Sequence, residues 1–181
     1  MSNAAIYSME ELEDFCERSY STSLYILLNY LEVGSIEHDH IASHIGKAMG
    51  ITSFLRTSFP ISRCSHDPGM PMDLLAANKI SQQDLIEDTD SWRSEPMKTV
   101  IHQMADTAMA HVSLAEKHLM STGANYSILQ RLFLPLVPTK NFLDTLQSVD
   151  FDLTNANLYL RDRWIPLRLL WSLAKARSTI K

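Results

Sequence analysis

The stretch IASHIGKAMGITSFLRTSFP, from Ile41 to Pro60, decides the fold of this chain. Gly46 and Gly50 lie four residues apart in it, although a glycine inside a helix costs about 1 kcal/mol relative to alanine. We therefore expect a neighbouring helix or a ligand to approach closely at both positions. Pro60 predicts the end of the helix, because a residue that precedes proline disfavours helical geometry. Apolar residues three or four apart predict the helix itself: Ile41, Ile45, Ala48, Ile51 and Leu55.

Length and composition predict a single helical domain over residues 1–181. The chain is long enough to bury a core, and 45% apolar with 20% charged residues is typical of a globular protein. Five glycines and few alternating runs favour an all-α class. The net charge of −5 argues against a nucleic-acid partner. No apolar run reaches the ~18 residues of a membrane span, and the acidic first residues predict no targeting peptide.

The two ends of the chain are predicted to be helices of different character. Ser8 and Glu11 have the spacing of a capping box, which starts a helix that runs to about Val33. The helix over residues 161–178 has a basic stripe formed by Arg161, Arg168 and Lys175, seven residues apart. Its apolar arc has two interpretations. A last helix packed on the core is favoured by the width of the arc, and a surface for anionic lipid or an acidic partner is the alternative. The arc comprises Trp164, Leu167, Leu170, Trp171 and Ala174.

Histidines suggest a weak metal signal. His40 and His44 are four residues apart, so they share a helix face, and Asp39 could add an oxygen ligand. The strong zinc pattern has a glutamate directly after its first histidine, and Ile41 stands there instead. We therefore favour surface or helix-start histidines over a metal site. The same interpretation, surface or partly buried, applies to His102, His111 and His118.

The glycine-containing helix resembles the second aspartate-rich helix of the squalene/phytoene synthase family. The family frame is kept at Gly46, Ala48, Leu55 and Arg56, and residues 70–74 resemble the Leu-Pro element that follows it. The resemblance implies an isoprenoid-synthase-like helical bundle, of which this chain is the C-terminal portion without the family's N-terminal segment. The family's metal-binding positions are changed: its asparagine falls on Ser53, its first aspartate on Thr57, and its Glu-Asp pair on Pro60 and Ile61.

These departures imply that the metal site is lost. Magnesium needs hard oxygen ligands in a near-octahedral array, and no carboxylate is left to supply them. The resemblance thus implies a pseudoenzyme without a cofactor. It marks as vestigial diphosphate-site positions Ser53, Arg56, Thr57 and Arg63, and as pocket-lining positions Tyr25, Asn29, Gly46 and Gly50. For Tyr25 and Asn29 a core helix with a polar flank is the favoured alternative.

Within the family, residues 42–51, 55–56, 71–74 and 149–152 resemble the mitochondrial branch that assists assembly of respiratory complex I. This resemblance implies a non-catalytic assembly factor on the matrix side of the inner membrane. Its partners would be complex I subunits or other assembly factors, with peripheral contact to the membrane. An isoprenoid- or lipid-binding module and an active prenyltransferase are the alternatives.

Overall fold

A computed structural model describes residues 6–65, 69–121, 126–160 and 165–178. These residues form nine α-helices and contain no strand, so the predicted all-α class is confirmed. Short turns join most of the helices. In chain order they are α1 (Met9–Cys16), α2 (Thr22–Tyr30), α3 (Ile36–Ser65), α4 (Met72–Ala77), α5 (Gln82–Glu87), α6 (Glu95–Ser121), α7 (Tyr126–Leu132), α8 (Leu136–Ser148) and α9 (Ile165–Ser178).

The first two helices form one continuous rod with a π-helical turn, Glu17–Ser21, between them. The predicted capping box starts the rod: Ser8 Oγ accepts from the Glu11 N–H at 3.2 Å, and Glu11 reaches back to the Tyr7 N–H at 2.7 Å. The rod ends at Tyr30, before the predicted boundary, because Glu32 takes the left-handed conformation with φ of 56°.

The central helix is α3, which packs against the rod on one side and against α6 on the other. Its two glycines allow the closest approach. A Cβ on Gly46 would lie 2.1 Å from Ser21 Oγ, and a Cβ on Gly50 would lie 2.3 Å from Cys16 Sγ. A neighbouring helix therefore accounts for the glycine pair, since any side chain at either position would push the rod away.

The prediction that α3 ends before Pro60 is wrong, because the helix continues to Ser65. Pro60 itself is exposed, whereas Leu55, Ser58 and Ser62 are buried around it. Burial on both sides of the proline keeps the last turns in place against a cost of about 3 kcal/mol. Ser58 Oγ and Ser62 Oγ also donate to the carbonyls of Phe54 and Phe59, at 2.6 and 2.8 Å.

The last helix, α9, packs on α7 and α8 through only part of its surface. The favoured interpretation of its apolar arc as core is wrong for the residues described. Leu167, Leu170 and Trp171 are 53%, 61% and 71% exposed, and Trp164 lies outside the described residues. The prediction was wrong because α9 lies at the edge of the bundle: of its described side chains, residues 165–171, Ile165 and Leu169 are half-buried and the others are exposed, while the Ala174 side chain lies outside the described residues.

Candidate functional site

A polar seam runs between the rod, α3 and α6. Most of its side chains are half-buried and contact one another rather than solvent. On the rod, Glu13, Glu17, Ser21 and Tyr25 recur every four residues, which places them on one helix face. We define the polar seam by its residues: Glu13, Glu17, Ser21, Tyr25, Ser43, His44, Lys47 and His111.

Glu17 organises one end of the polar seam. Its carboxylate accepts from Ser43 Oγ at 2.7 Å, from Ser21 Oγ at 3.2 Å and from the Tyr25 hydroxyl. Burial alone would raise the pKa of Glu17, but these three donors outweigh burial and lower it. Burial and the bond to Glu17 raise the pKa of Tyr25 to about 12. Glu17 is thus a stable anion held by neutral donors from the rod and α3.

A chain of ionisable groups forms the other end. His111 Nε2 lies 3.2 Å from Glu13 Oε2, and Lys47 Nζ lies 3.8 Å from the same oxygen. His44 Nδ1 and His111 Nδ1 are 2.9 Å apart, so one of these two nitrogens is protonated and donates a hydrogen bond to the other. Burial, followed by the charges of His111, His118 and Lys47, lowers the pKa of His44. The arrangement favours a neutral His44.

The histidine pair of α3, His40 and His44, has two different environments. His40 is exposed, while His44 faces α6 and packs beside the His118 ring, with a centroid separation of 6.2 Å. Among the described residues, no group of three or more His, Cys, Asp or Glu side chains has the geometry to hold a metal ion.

The positions that the family resemblance predicts to be a vestigial diphosphate site lie along α3. The Thr57 hydroxyl donates to the Ser53 carbonyl at 2.8 Å and contacts the Phe54 carbonyl at 3.3 Å. Ser53 is half-buried and Arg56 is exposed, whereas the Arg63 side chain lies outside the described residues. Thr57 therefore uses its oxygen within the helix.

The four predicted pocket positions fall in two places. Tyr25 belongs to the polar seam, and Asn29 is exposed, with its side chain donating to the Tyr25 carbonyl at 2.9 Å. Gly46 and Gly50 face the rod. A role of these four residues in lining a pocket stays a prediction.

Two cavities lie elsewhere, around α8. The larger, of about 470 Å³, opens between α6, α7, α8 and α9, and its rim carries the Glu116–Lys140 ion pair at 2.8 Å. The smaller, of about 300 Å³, contains Arg56 together with Asn141, Thr145 and Asn157. Half of the residues that line the larger cavity are apolar, and the other half are polar or charged. The apolar ones are Leu119, Met120, Phe133, Leu134, Leu136 and Val137.

The predicted basic stripe is described only in part. Arg168 is exposed and donates to Asn141 Oδ1, beside both cavities. Arg161 and the Lys175 side chain lie outside the described residues. In the part of the chain that is described, no helix is long and apolar enough to cross a bilayer.

Sequence reasoning missed the carboxylates of the polar seam. The four-residue spacing of Glu13 and Glu17 was visible, but both residues also fitted an acidic helix start. The partner of Glu13 is His111, 98 residues away, and no local pattern connects them.

Comparison with known proteins supplies the family. The squalene/phytoene synthase model matches residues 1–170. The chain belongs to the squalene/phytoene synthase family. Its all-helical structure agrees with this membership.

Curated relatives with closely similar names match most of the chain. The chain is 31% identical over 167 residues to "NADH dehydrogenase (ubiquinone) complex I, assembly factor 6 homolog" of Drosophila melanogaster, covering 92% of this chain and 48% of the relative. It is 31% identical over 170 residues to the Homo sapiens assembly factor 6, covering 93% and 49%. The Dictyostelium discoideum homolog is 28% identical over 150 residues, covering 82% and 40%. The chain thus spans about half the length of these relatives. No solved structure matches it significantly.

Proposed function

We propose that this chain is a non-catalytic, prenyl-synthase-like assembly factor for mitochondrial respiratory complex I, the NADH dehydrogenase. It forms one helical domain and acts through protein contacts with complex I subunits or other assembly factors. Its place is the matrix side of the inner membrane, with peripheral contact to the bilayer. The names of the relatives from fly, human and slime mould support this proposal.

The non-catalytic part of the proposal rests on one observation, the hydrogen bond of the Thr57 hydroxyl within α3. At this position the family resemblance requires a metal-binding aspartate, and the threonine hydroxyl bonds to the carbonyl of Ser53 instead. Ser53 offers only another hydroxyl, and Arg56 adds a positive charge. A pair of magnesium ions needs several anionic oxygens, so this face of α3 is unsuited to them.

A thermal-shift titration with farnesyl diphosphate, with and without magnesium, tests catalytic competence. A ligand that binds the folded state raises the apparent midpoint. We expect no magnesium-dependent rise. A clear rise that requires magnesium would overturn the pseudoenzyme proposal in favour of a prenyltransferase.

Complementation tests the assembly role. Human cells that lack their assembly factor 6 would express this chain with a mitochondrial leader, and native gels would measure assembled complex I. We expect Arg56→Gln and Thr57→Ala to restore as much complex I as the unmodified chain. Gly46→Ala serves as the structural control and should restore less. A loss with Arg56→Gln or Thr57→Ala, at unchanged protein level, would mean that the site has retained chemistry; no restoration by the unmodified chain would count against the assembly role.

A second candidate, an isoprenoid- or lipid-binding module, is favoured by the larger cavity. Its volume of about 470 Å³ falls in the range of small-molecule pockets, and its lining combines apolar side chains with polar and charged ones. Val137→Trp would fill it. A magnesium-independent thermal shift with farnesyl diphosphate that Val137→Trp removes would support this candidate, whereas no shift would reject it for this ligand.

A further inference from the structure

The outer face of α9 combines exposed apolar side chains with a positively charged segment of the chain. Ile165 and Leu169 are half-buried toward the bundle, while Leu167, Leu170 and Trp171 are exposed. At about 100° per residue, these three exposed residues fall within one arc of about 100°. The arc is apolar and exposed, and it includes Trp171, a type of side chain that favours the membrane–water interface.

The charge around α9 is opposite to that of the rest of the protein. Residues 161–181 contain six basic side chains and one acidic one, a net charge of +5, although the whole chain carries −5. The remaining residues therefore carry −10. Arg168, the basic side chain described within this segment, is exposed at the flank of the apolar arc.

A second exposed apolar patch, on α2, provides the contrast. Ile26 and Tyr30 are 63% and 82% exposed there. Residues 22–37 contain no basic side chain and two acidic ones, Glu32 and Glu37. An anionic surface would repel this patch and attract α9, so charge distinguishes the two apolar surfaces.

We propose that α9 binds flat on the surface of an anionic phospholipid bilayer. Leu167, Leu170 and Trp171 enter the boundary between headgroups and acyl chains, Arg168 contacts lipid phosphates, and the net positive charge of residues 161–181 attracts the anionic surface. This inference rests on the proposed function for its membrane setting. Bilayer binding and complex I assembly are measured separately, however, so that either can fail alone.

Tryptophan fluorescence tests insertion directly. Trp92 is buried and insensitive to the bilayer, so Trp164→Phe leaves Trp171 as the reporter. We expect a blue shift with phosphatidylcholine–phosphatidylglycerol vesicles that salt weakens, and little shift with phosphatidylcholine alone. No shift with the anionic vesicles would overturn the proposal.

Vesicle flotation with variants identifies the contacts. Leu167→Gln, Leu170→Gln and Trp171→Gln combined should lower binding roughly tenfold or more, because apolar burial is lost. Lys175→Gln and Arg177→Gln should each lower it about fivefold, equivalent to the ~1 kcal/mol that one cation contributes near an anionic surface. The controls are Tyr30→Gln, which replaces an aromatic residue of α2 that is 82% exposed, and Arg18→Gln, whose side chain is 76% exposed. Equal losses for controls and α9 variants would contradict the proposal.

Light scattering separates the bilayer from other occupants of the same face. The chain without lipid should remain monomeric at all concentrations tested. A dimer that the Leu167, Leu170 and Trp171 substitutions dissociate would assign this face to a second copy. Binding to an acidic polypeptide such as polyglutamate, but not to anionic vesicles, would assign it to an acidic protein. Either result would overturn the bilayer proposal.

Discussion

The polar seam places polar side chains between helices, whereas α9 exposes apolar side chains at the surface. In the polar seam, carboxylates and histidines from the rod, α3 and α6 lie between helices, where Glu13 and Glu17 find partners within the chain. On α9, leucine and tryptophan side chains face outward. A polar group between helices is stable only when its hydrogen bonds are satisfied, and an exposed apolar cluster favours an external surface.

This difference indicates what each region contributes. The ion pairs and hydrogen bonds of the polar seam connect three helices and fix the position of the rod on α3. The exposed side chains of Leu167, Leu170 and Trp171 on α9 contribute little to the stability of the fold. Substitutions should therefore lower stability in the first region and change binding in the second.

The largest expected effect comes from the glycine contact beneath the polar seam. A Cβ on Gly46 would lie 2.6 Å from the Ser21 backbone nitrogen, so Gly46→Ala must move the rod. We expect a loss of about 2–3 kcal/mol in the free energy of unfolding, despite the better helix propensity of alanine. Urea denaturation measures it. Gly34→Ala is the control, because its Cβ would meet Asn29 Oδ1 at 3.5 Å, an ordinary contact; equal stability of the two variants would contradict the close approach.

A smaller loss should follow from removing the charge of Glu17. Glu17→Gln weakens bonds from three hydroxyl donors, and we expect a cost of about 1–2 kcal/mol after allowing for partial exposure. Because the pKa of Glu17 is lowered by folding, its contribution is present above the unfolded-state pKa and is lost as pH falls through the folded value. Urea midpoints of the variant and the unmodified chain should therefore converge in acid.

The exposed residue Glu10 provides the control for Glu17. Glu10→Gln should change stability by less than about 0.5 kcal/mol. If the gap between Glu17→Gln and the unmodified chain were as wide in acid as at neutral pH, the anionic state of Glu17 would not be what stabilises the polar seam.

Sequence periodicity was sufficient for the all-α class and for the approximate positions of the rod, α3 and α9. The capping box at Ser8 and the close approach at Gly46 followed from local rules, because the Ser8–Glu11 spacing and the cost of a glycine inside a helix can both be recognised within one segment of the sequence. The continuation of α3 past Pro60 could not be predicted from local rules, since burial of Leu55 and Ser62 on either side of the proline overcomes its tendency to end a helix.

The site was less predictable because it depends on pairs of residues far apart in the chain. Glu13 and His111 meet only when the rod and α6 pack against the same helix. The exposure of Trp171 likewise depends on where α9 lies in the bundle, which its amphipathic pattern does not specify. An apolar arc is the same in sequence whether a core or a bilayer covers it.

The histidines of the polar seam should produce a pH-dependent effect of about 1 kcal/mol or less. Since burial and nearby cations lower the pKa of His44, the unfolded chain binds protons more readily, and stability falls as pH drops from roughly 7 to 5. His44→Gln should flatten this fall in urea midpoints. His102→Gln is the control, because the His102 side chain is 49% exposed and lies 3.4 Å from Asp106. An unchanged slope in His44→Gln would mean that His44 does not sense pH in the fold.

The smallest effect on stability is expected on α9. Leu170 is 61% exposed, so Leu170→Gln removes little buried surface and keeps a good helix former, and we expect a change within about 0.5 kcal/mol. The same urea measurement that detects Gly46→Ala checks it, and vesicle flotation of the same sample measures binding. Weaker binding at unchanged stability would sharpen the contrast between the two regions. A loss of more than 1–2 kcal/mol would instead mean that Leu170 packs within the protein, and α9 would then belong to the core.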